Sequence, residues 1–279
     1  MMLKVENLSI RFEDRGMAEH IVKGISFDME KSEILGIVGE SGSGKTMTAL
    51  TIAGLLKKNA ILESGQIFLE ETDLLSLSEQ EMRDIQGKEV SMIFQEPMTA
   101  LNPTMRVGKQ VEESLLLHGK IPKKERRKKA LQALRDVELS DAESVYLKYP
   151  HELSGGMRQR VMIAAAIVCR PKLLIADEPT TALDVYTQEE ILKLLKKLNA
   201  KYGMGILFIS HNLRVVKELC SRVIVMKDGE ILEEGAAEEI FENPKTAYTR
   251  ELIDAIPTRT KRNVYYELLK EKAGESHDR

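Results

Sequence analysis

The feature that most constrains this chain is a glycine-rich loop between a short apolar run and a helix-forming stretch. Residues Gly39–Thr46 read GESGSGKT, which fits the phosphate-binding pattern G-x-x-x-x-G-K-[ST]. The apolar run Ile34–Val38 predicts a buried strand, and Thr46–Leu56 predicts a helix whose N-terminus favours an anion. A Gly/Ser-rich linker is the alternative, and the preceding strand disfavours it. The sequence therefore predicts an α/β chain with a nucleotide-phosphate site.

Each residue type in this loop has a chemical reason. The glycines permit backbone angles at which successive N–H groups turn inward around an anion. Lys45 supplies a charge for the β- and γ-phosphates, and Thr46 offers a hydroxyl to Mg²⁺. The predicted phosphate contacts are Gly39, Glu40, Ser41, Gly42, Ser43, Gly44, Lys45 and Thr46.

Composition limits the class of protein. The chain has 279 residues, of which 43% are hydrophobic and 30% charged, and this composition is typical of a globular fold. A net charge of −3 does not indicate a nucleic-acid partner. We expect neither a membrane-spanning helix nor a signal peptide. Cys169 and Cys220 lack metal-ligand spacing and are predicted to be buried reduced thiols.

The N-terminal part predicts an antiparallel arrangement. Leu3–Phe12 and Ile21–Glu30 alternate apolar and polar residues, which predicts two strands joined by a polar loop over residues 13–20. Phe12 either stacks on a base or is a half-buried strand aromatic, and the pattern leaves both open. Ala60–Leu69 predicts another strand, with a turn at Ser64-Gly65.

The middle of the chain changes to helical spacing. Val90–Gln95 predicts a buried strand, and from Thr104 to about Arg170 apolar residues recur at helix intervals. One of these helices is predicted over Lys123–Val137. Its charge run, Lys123–Lys129, suggests nucleic acid or acidic lipid, but a solvated helix face is the favoured interpretation.

A second glycine-rich helix start follows at Leu153–Met157, which reads LSGGM. Its N-terminus, at Ser154, Gly155 and Gly156, is a second candidate anion site. The alternative is an ordinary Ser-capped helix whose glycines allow close packing, and this stretch alone leaves the choice open.

Two strand ends carry polar residues suited to hydrolysis. Asp177 and Glu178 follow a buried strand, where Asp177 suits the water shell of Mg²⁺ and Glu178 suits a base that polarises water. A solvated helix cap is the alternative, and Pro179 argues against it. His211 ends the strand predicted over Gly205–Ser210, which favours a phosphate contact over a structural role.

The remaining chain predicts a helix over Tyr186–Ala200, a hairpin turning at Asp228-Gly229, and short helices broken near Asn243-Pro244. The last residues are charged, with a possible helix at Tyr265–Lys272.

In this order the motifs resemble an ABC-type ATPase subunit over roughly Leu3 to Pro257. The matching segments are the loop Gly39–Thr46, Gln95, Leu153–Met157, Asp177-Glu178, Thr181–Asp184 and His211. The resemblance implies an α/β fold: a P-loop ABC ATPase core with an antiparallel β subdomain and an inserted helical subdomain. The expected domain covers residues 1–257 with the insertion at about 104–170, and residues 258–279 form a charged tail.

The resemblance also implies a mechanism. Two such subunits sandwich two ATP molecules, each between the loop of one subunit and Ser154, Gly155 and Gly156 of the other. Phe12 and Asp184 complete the ATP contacts, although the family often has Tyr where this chain has Phe12. The implied catalytic residues are Glu178, His211 and Gln95, and the implied Mg²⁺ residues are Thr46, Gln95 and Asp177.

A narrower resemblance concerns the substrate. Phe94–Pro103, Ala176–Asp184 and Tyr248–Leu252 resemble the ATPases of oligopeptide, dipeptide and nickel importers. This implies two membrane permeases, a second ATPase that we expect to be a paralogue, and indirectly an extracytoplasmic substrate-binding protein. No nucleic acid is expected, and the location would be peripheral, at the cytoplasmic face of the cell membrane.

Two expectations qualify that resemblance. The loop Glu96–Asn102 is expected to touch the permeases. Many members carry a cysteine cluster in the tail for an iron–sulfur centre, and this chain has no Cys beyond Cys220, so we expect no cluster. The alternative function is a soluble ABC ATPase that is not coupled to transport.

Overall fold

The computed structural model describes residues 1–14, 17–56, 59–95, 100–181 and 183–256. Its strands are β1 (Leu3–Asp14), β2 (Met17–Met29), β3 (Ile34–Val38), β4 (Ala60–Leu69), β5 (Thr72–Asp73), β6 (Val90–Ile93), β7 (Leu173–Asp177), β8 (Gly205–Ile209), β9 (Arg222–Lys227) and β10 (Glu230–Ala236). Its α-helices are α1 (Lys45–Ile52), α2 (Glu79–Ile85), α3 (Val107–Leu117), α4 (Lys123–Asp136), α5 (Ala142–Leu147), α6 (Gly155–Ile167), α7 (Val185–Tyr202), α8 (Leu213–Leu219), α9 (Ala237–Glu242) and α10 (Ala247–Asp254).

The central layer is a six-stranded sheet in the order β10-β9-β3-β8-β7-β6. All its pairs are parallel except the β9–β10 hairpin, which turns at the predicted Asp228-Gly229. Every residue of β3, β7 and β8 is buried, because central strands of a parallel sheet are covered on both faces. The continuous apolar runs that predicted these strands reflect this burial.

The second layer is a four-stranded antiparallel sheet in the order β2-β1-β4-β5. The predicted loop over residues 13–20 was wrong in extent, because Phe12 pairs with Glu19 and Glu13 pairs with Ala18. Glu13, Ala18 and Glu19 are exposed, so this end of the hairpin has few buried positions to impose apolar alternation. The strands consequently extend into a segment whose sequence resembles a polar loop.

The turn predicted at Ser64-Gly65 was also wrong, since β4 continues through both residues. The pairing of β1 with β4 shifts register between Glu6 and Ser9, which is a bulge opposite this point. Gly65 has a φ of 121°, and a Cβ there would lie 2.7 Å from the Cα of Leu8. The glycine therefore permits a close backbone approach within a strand.

The helices α3 to α6 lie in sequence between β6 and β7, as the helical spacing predicted. Their buried faces join the core cluster that also includes β7 and β8. The charge run Lys123–Lys129 starts α4 and is solvent-exposed except for Arg126, which is half-buried and bonds the carbonyl of Ile121. This exposure agrees with a solvated helix face.

The C-terminal region contains α9 and α10, separated near Asn243-Pro244 as predicted. The predicted helix at Tyr265–Lys272 lies outside the described residues. Cys220 is buried, but Cys169 is only half-buried, so the prediction of two buried thiols was half wrong; both are free. Among the described helices, none combines the length and apolar character needed to cross a bilayer.

One arginine links the two sheets. Arg222 begins β9, and its Nε donates to Glu33 Oε1 at 2.9 Å. Its other nitrogens donate to the carboxylate of Glu234 in β10 and to the carbonyl of Asp28 in β2. The arginine side chain is 23% exposed and that of Glu33 is 11% exposed, so this ion pair is partly shielded from water.

We predict that Arg222→Met lowers the free energy of unfolding by about 1–3 kcal/mol, because Glu33 and Glu234 then lack their shared donor. Urea denaturation measures the loss. The control is Arg83→Met, whose partner Glu79 is 90% exposed and whose loss should stay within about 0.5 kcal/mol. Equal effects of the two substitutions would contradict the linking role of Arg222.

Candidate functional site

The carboxyl edge of the parallel sheet carries a cleft of about 810 Å³. It brings together residues from the hairpin, the phosphate loop and three strand ends. The lining residues are Phe12, Glu19, Ile21, Glu40, Ser41, Gly42, Gly44, Lys45, Thr46, Met47, Gln95, Glu178, Thr181 and His211.

The phosphate loop lies between β3 and α1, as the sequence predicted. Lys45 is 6% exposed, and its Nζ donates to Gly39 O at 2.9 Å, Glu40 O at 2.6 Å and Ser43 Oγ at 3.2 Å. Burial lowers the pKa of Lys45, although the carboxylates of Glu178, Asp177 and Glu40 oppose that shift. Gly39 and Ser43 thus lie beneath the lysine and do not line the cleft.

Two loop glycines are required by their conformation. Gly42 and Gly44 have φ values of 85° and 99°, which side chains rarely adopt. A Cβ on Gly44 would also lie 2.7 Å from the carbonyl oxygen of Ile21 in β2. The loop therefore packs against the antiparallel sheet at the point where it turns into α1.

Thr46 and Asp177 meet at the floor of the site. The Thr46 hydroxyl donates to Asp177 Oδ1 at 3.3 Å, and Asp177 is 5% exposed. Burial raises the pKa of Asp177, and this outweighs the hydrogen bond from Thr46. A hydroxyl and a carboxylate side by side are hard oxygen donors of the kind that Mg²⁺ accepts.

The Glu178 side chain is held by three neighbouring side chains. Gln95 Nε2 and the Thr181 hydroxyl donate to its Oε2 at 3.1 and 2.9 Å, and His211 Nδ1 lies 2.8 Å from its Oε1. Its backbone N–H donates to Ile209 O at 2.9 Å, and its φ is 47°, in the left-handed region. The fold thus holds a strained, oriented carboxylate at the cleft.

Phe12 is half-buried and lines the cleft from β1. Phe12 is therefore a half-buried strand aromatic at the cleft, and its stacking on a base stays a prediction. Gln95, Glu178 and His211, which come from three different strand ends, converge as predicted.

The second glycine-rich segment lies elsewhere. Ser154 caps α6 by accepting a 3.3 Å hydrogen bond from Met157 N, and neither Ser154 nor the two glycines lines the cleft. A Cβ on Gly156 would lie 2.9 Å from Thr187 Cγ2, whereas a Cβ on Gly155 would meet nothing within 4 Å. Packing within this chain therefore accounts for Gly156 and not for Gly155.

Asp184 also lies outside the cleft. It caps α7 by accepting hydrogen bonds from the Thr187 N–H at 3.0 Å and the Thr187 hydroxyl at 2.7 Å. These bonds lower the pKa of Asp184. Asp184 and the start of α6 both contact Thr187, so the two segments lie next to each other.

Sequence reasoning missed several cleft residues. Glu19 was assigned to a loop, and Ile21 and Met47 have no polar group that would mark them. Tyr248 entered the sequence analysis only as part of the stretch Tyr248–Leu252 that resembles importer ATPases. Its hydroxyl accepts a 3.1 Å hydrogen bond from the backbone N–H of Glu40 in the phosphate loop. A contact between residues so far apart in sequence leaves no periodic pattern to detect.

The fold and the site together define a phosphate-loop ATPase. A family model described as ABC transporter matches residues 22–181, and the chain therefore belongs to the ABC transporter family as one of its ATPases. The resemblance stated from the sequence is confirmed.

The chain is also similar in sequence to ATP-binding proteins of peptide transporters. The chain is 45% identical over 260 residues to the probable peptide ABC transporter ATP-binding protein y4tR of Sinorhizobium fredii, which is 93% of this chain and 78% of the relative. It is 48% identical over 258 residues to the oligopeptide transport ATP-binding protein OppD of Bacillus subtilis, which is 92% of this chain and 72% of the relative.

A solved structure agrees in fold. The ATP-binding cassette MJ0796, determined as a dimer in a post-hydrolysis state with ADP and Pi, matches with a TM-score of 0.75 at 32% identity. The match covers 85% of this chain and 99% of that chain. The predicted α/β fold with an ABC ATPase core is therefore confirmed.

The strain at Glu178 generates a prediction. Because glycine adopts positive φ without the steric cost of a Cβ, we expect Glu178→Gly to be more stable than Glu178→Ala by about 1 kcal/mol. Urea denaturation of the two variants measures the difference, and the lost carboxylate cancels between them.

A matched pair in a helix gives the control. Lys196 is exposed within α7, where Lys196→Ala should be more stable than Lys196→Gly by about 1 kcal/mol. The same order at both positions would show that the backbone at Glu178 is unstrained.

Proposed function

We propose that this chain binds and hydrolyses ATP to power the import of di- or oligopeptides, with nickel as a further candidate, through a membrane transporter. The observation that carries the proposal is that Lys45 and Thr46 of the phosphate loop line the same cleft as Glu178. The names of the relatives, which refer to peptide and oligopeptide transport, support the substrate class.

The phosphate loop would bind the triphosphate. Its N–H groups and the α1 N-terminus favour an anion, and the same loop carries the buried Lys45 ammonium, which donates to the carbonyls of Gly39 and Glu40. When a phosphate oxygen reaches Lys45, it replaces loop oxygens that the Lys45 ammonium now contacts. The half-buried Phe12 also lines the cleft, and an adenine ring would stack on its face.

The donor set also fits Mg²⁺. Thr46 and Asp177 present adjacent oxygens, and the Gln95 side chain lies at the same cleft, so these three residues would hold the ion. When bound, Mg²⁺ neutralises charge on the phosphate oxygens. Thr46, Gln95 and Asp177 are therefore our proposed metal residues.

Glu178 is the proposed general base. Its carboxylate would accept a proton from the attacking water as the water oxygen bonds to the γ-phosphorus and the bond to the β-phosphate oxygen breaks. Gln95 and His211 contact the two oxygens of this carboxylate and so orient it. In addition, we assign His211 to hold the γ-phosphate and Gln95 to sense phosphate and metal.

The second half of the site would come from another subunit. Ser154, Gly155 and Asp184 are exposed, and no described residue outside the first turn of α6 lies within 4 Å of where a Gly155 Cβ would be. A glycine with open space around it is explained if an anion and a second ATPase approach closely there. We propose that Ser154, Gly155, Gly156 and Asp184 bind the ATP held by the partner's phosphate loop.

The proposed partners follow from the transporter assignment. They are two membrane permeases, a second ATPase that is a paralogue, and indirectly an extracytoplasmic substrate-binding protein, with this chain peripheral at the cytoplasmic face of the membrane. Residues 96–99 of the loop expected to touch the permeases lie outside the described residues. No observation favours the alternative of a soluble ABC ATPase uncoupled from transport.

The base assignment gives one prediction. Glu178→Gln should keep ATP binding, because the amide preserves size and most contacts, and should slow hydrolysis by about 10²–10⁴-fold. Phosphate release and ATP binding measured on one preparation separate these effects. Turnover close to that of the wild type would remove Glu178 from the role.

The proposal that two subunits share each ATP site gives another prediction, which is tested by mixing two variants. Lys45→Ala damages the loop, and Gly155→Asp places a carboxylate where a γ-phosphate would lie, so each variant alone should be nearly inactive. A mixed homodimer would contain one intact site and one doubly damaged site. If a paralogue is needed, mixing restores little hydrolysis, and phosphate release measures this.

The control mixes Gly155→Asp with the paralogous ATPase. One site should then regain activity, because the paralogue supplies an intact segment that corresponds to Ser154, Gly155 and Gly156. Strong recovery on mixing the two variants without another subunit would contradict the paralogue and support a homodimer.

A further inference from the structure

A tyrosine from the C-terminal helix contacts the backbone of the phosphate loop. Tyr248 lies on α10, beyond the residues 22–181 that the family model matches, and is 6% exposed. Its hydroxyl accepts the 3.1 Å hydrogen bond from Glu40 N–H, and the Lys227 ammonium lies 4.5 Å from its ring centroid. Burial raises the pKa of Tyr248, which keeps the hydroxyl neutral.

The peptide group between Gly39 and Glu40 is held at both ends. Its carbonyl, that of Gly39, accepts from Lys45 Nζ at 2.9 Å, and its N–H, that of Glu40, donates to Tyr248. Because a peptide is planar and its N–H and C=O are opposed, fixing one end fixes the other. Gly39 has a φ of 152°, and a Cβ there would lie 2.1 Å from the carbonyl oxygen of Met226, so close packing against β9 adds to the two hydrogen bonds in restricting this peptide.

A buried glutamate anchors the segment that carries Tyr248. Glu233 in β10 is 7% exposed and accepts from Lys245 N at 2.8 Å and Thr246 N at 3.1 Å. Burial raises the pKa of Glu233, but hydrogen bonds from the Thr249 hydroxyl and these N–H groups outweigh burial and hold the pKa below its ordinary value. The carboxylate therefore holds, as an anion, the two residues that precede α10, and Thr246 is the N-cap of that helix.

A register shift lies just before this anchor. The pairing of β10 with β9 shifts between Ile231 and Glu233, which is the kind of bulge that redirects a side chain. Glu233 is buried while its neighbour Leu232 is 37% exposed. A connected path thus runs from the edge strand β10 through α10 to the first turn of the phosphate loop.

We propose that Tyr248 is a positioning residue of the phosphate loop, anchored by Glu233, and that it raises ATP affinity by fixing the orientation of the Gly39–Glu40 peptide. The inference rests on the proposed function, in which this loop binds ATP. Without the hydroxyl the peptide keeps only its contact with Lys45, and a phosphate that reaches Lys45 exchanges with that contact. ATP must then order the loop as it binds, which weakens affinity.

The test measures two properties of the full chain: its affinity for ATP and the hydrogen-exchange rate of the phosphate loop. Tyr248→Phe removes only the hydroxyl, and we expect ATP to bind about three- to tenfold more weakly by calorimetry, as for the loss of one hydrogen bond. Hydrogen exchange of the peptide covering Gly39–Thr46 should become faster in the same variant. A purely structural role would leave that local exchange unchanged.

Tyr202→Phe is the matched control. The Tyr202 hydroxyl bonds the Asp136 carboxylate away from the phosphate loop, and Asp136 keeps Lys201 and Gln132 as partners. Its thermal stability should fall by an amount similar to that of Tyr248→Phe, with ATP affinity within twofold of wild type. Equal weakening of ATP binding in both variants would overturn the proposal, because general destabilisation would then explain it.

A double variant tests the anchor. Glu233→Gln alone should also weaken ATP binding. The double variant Glu233→Gln with Tyr248→Phe should bind ATP no more weakly than Tyr248→Phe alone, because both substitutions act through one contact. Additive losses would overturn the anchoring role. Wild-type chain that fails to bind ATP would overturn the proposed function, whereas wild-type affinity and exchange in Tyr248→Phe would overturn the Tyr248 inference.

Discussion

The parallel register of β3, β7 and β8 is the constraint on which the site depends. Ile209 of β8 is aligned with Ile37 of β3 and with Asp177 of β7. The three strands therefore end at one level, and the residues that follow them meet there: the phosphate loop, Glu178 and His211. A slip of one residue in any of these strands would turn buried side chains to the opposite face and separate the groups that now touch.

Unusual backbone conformations occur at this same edge. Glu178 has a positive φ, and Gly42 and Gly44 take conformations that side chains avoid. Neighbours fix two of these positions: Ile209 O accepts a hydrogen bond from the Glu178 N–H, and the Ile21 carbonyl oxygen lies against Gly44. The rigid sheet supplies the fixed points, and the loops between them adopt the unusual backbone angles that turn N–H groups and a carboxylate towards the cleft.

Sequence predicted the parts of this fold that local physics decides. The buried strands have continuous apolar runs, and the Asp228-Gly229 hairpin uses a turn pair that accepts positive φ. It was wrong at residues 13–20, where exposed strands have few buried positions to impose alternation, and at Gly65, where a bulge lies inside a strand. Those outcomes depend on a neighbouring strand, which no window of one sequence contains.

The two adjacent glycines of the second motif differ in what surrounds them. Gly156 packs against Thr187, so its lack of a side chain is explained by this chain's own packing. Gly155 faces open space, so internal packing gives no reason for it. The phosphate loop, by contrast, is surrounded by its own sheet and by Tyr248. This chain therefore fixes the phosphate-loop half of the site internally, and in our proposal a second ATPase completes the other half.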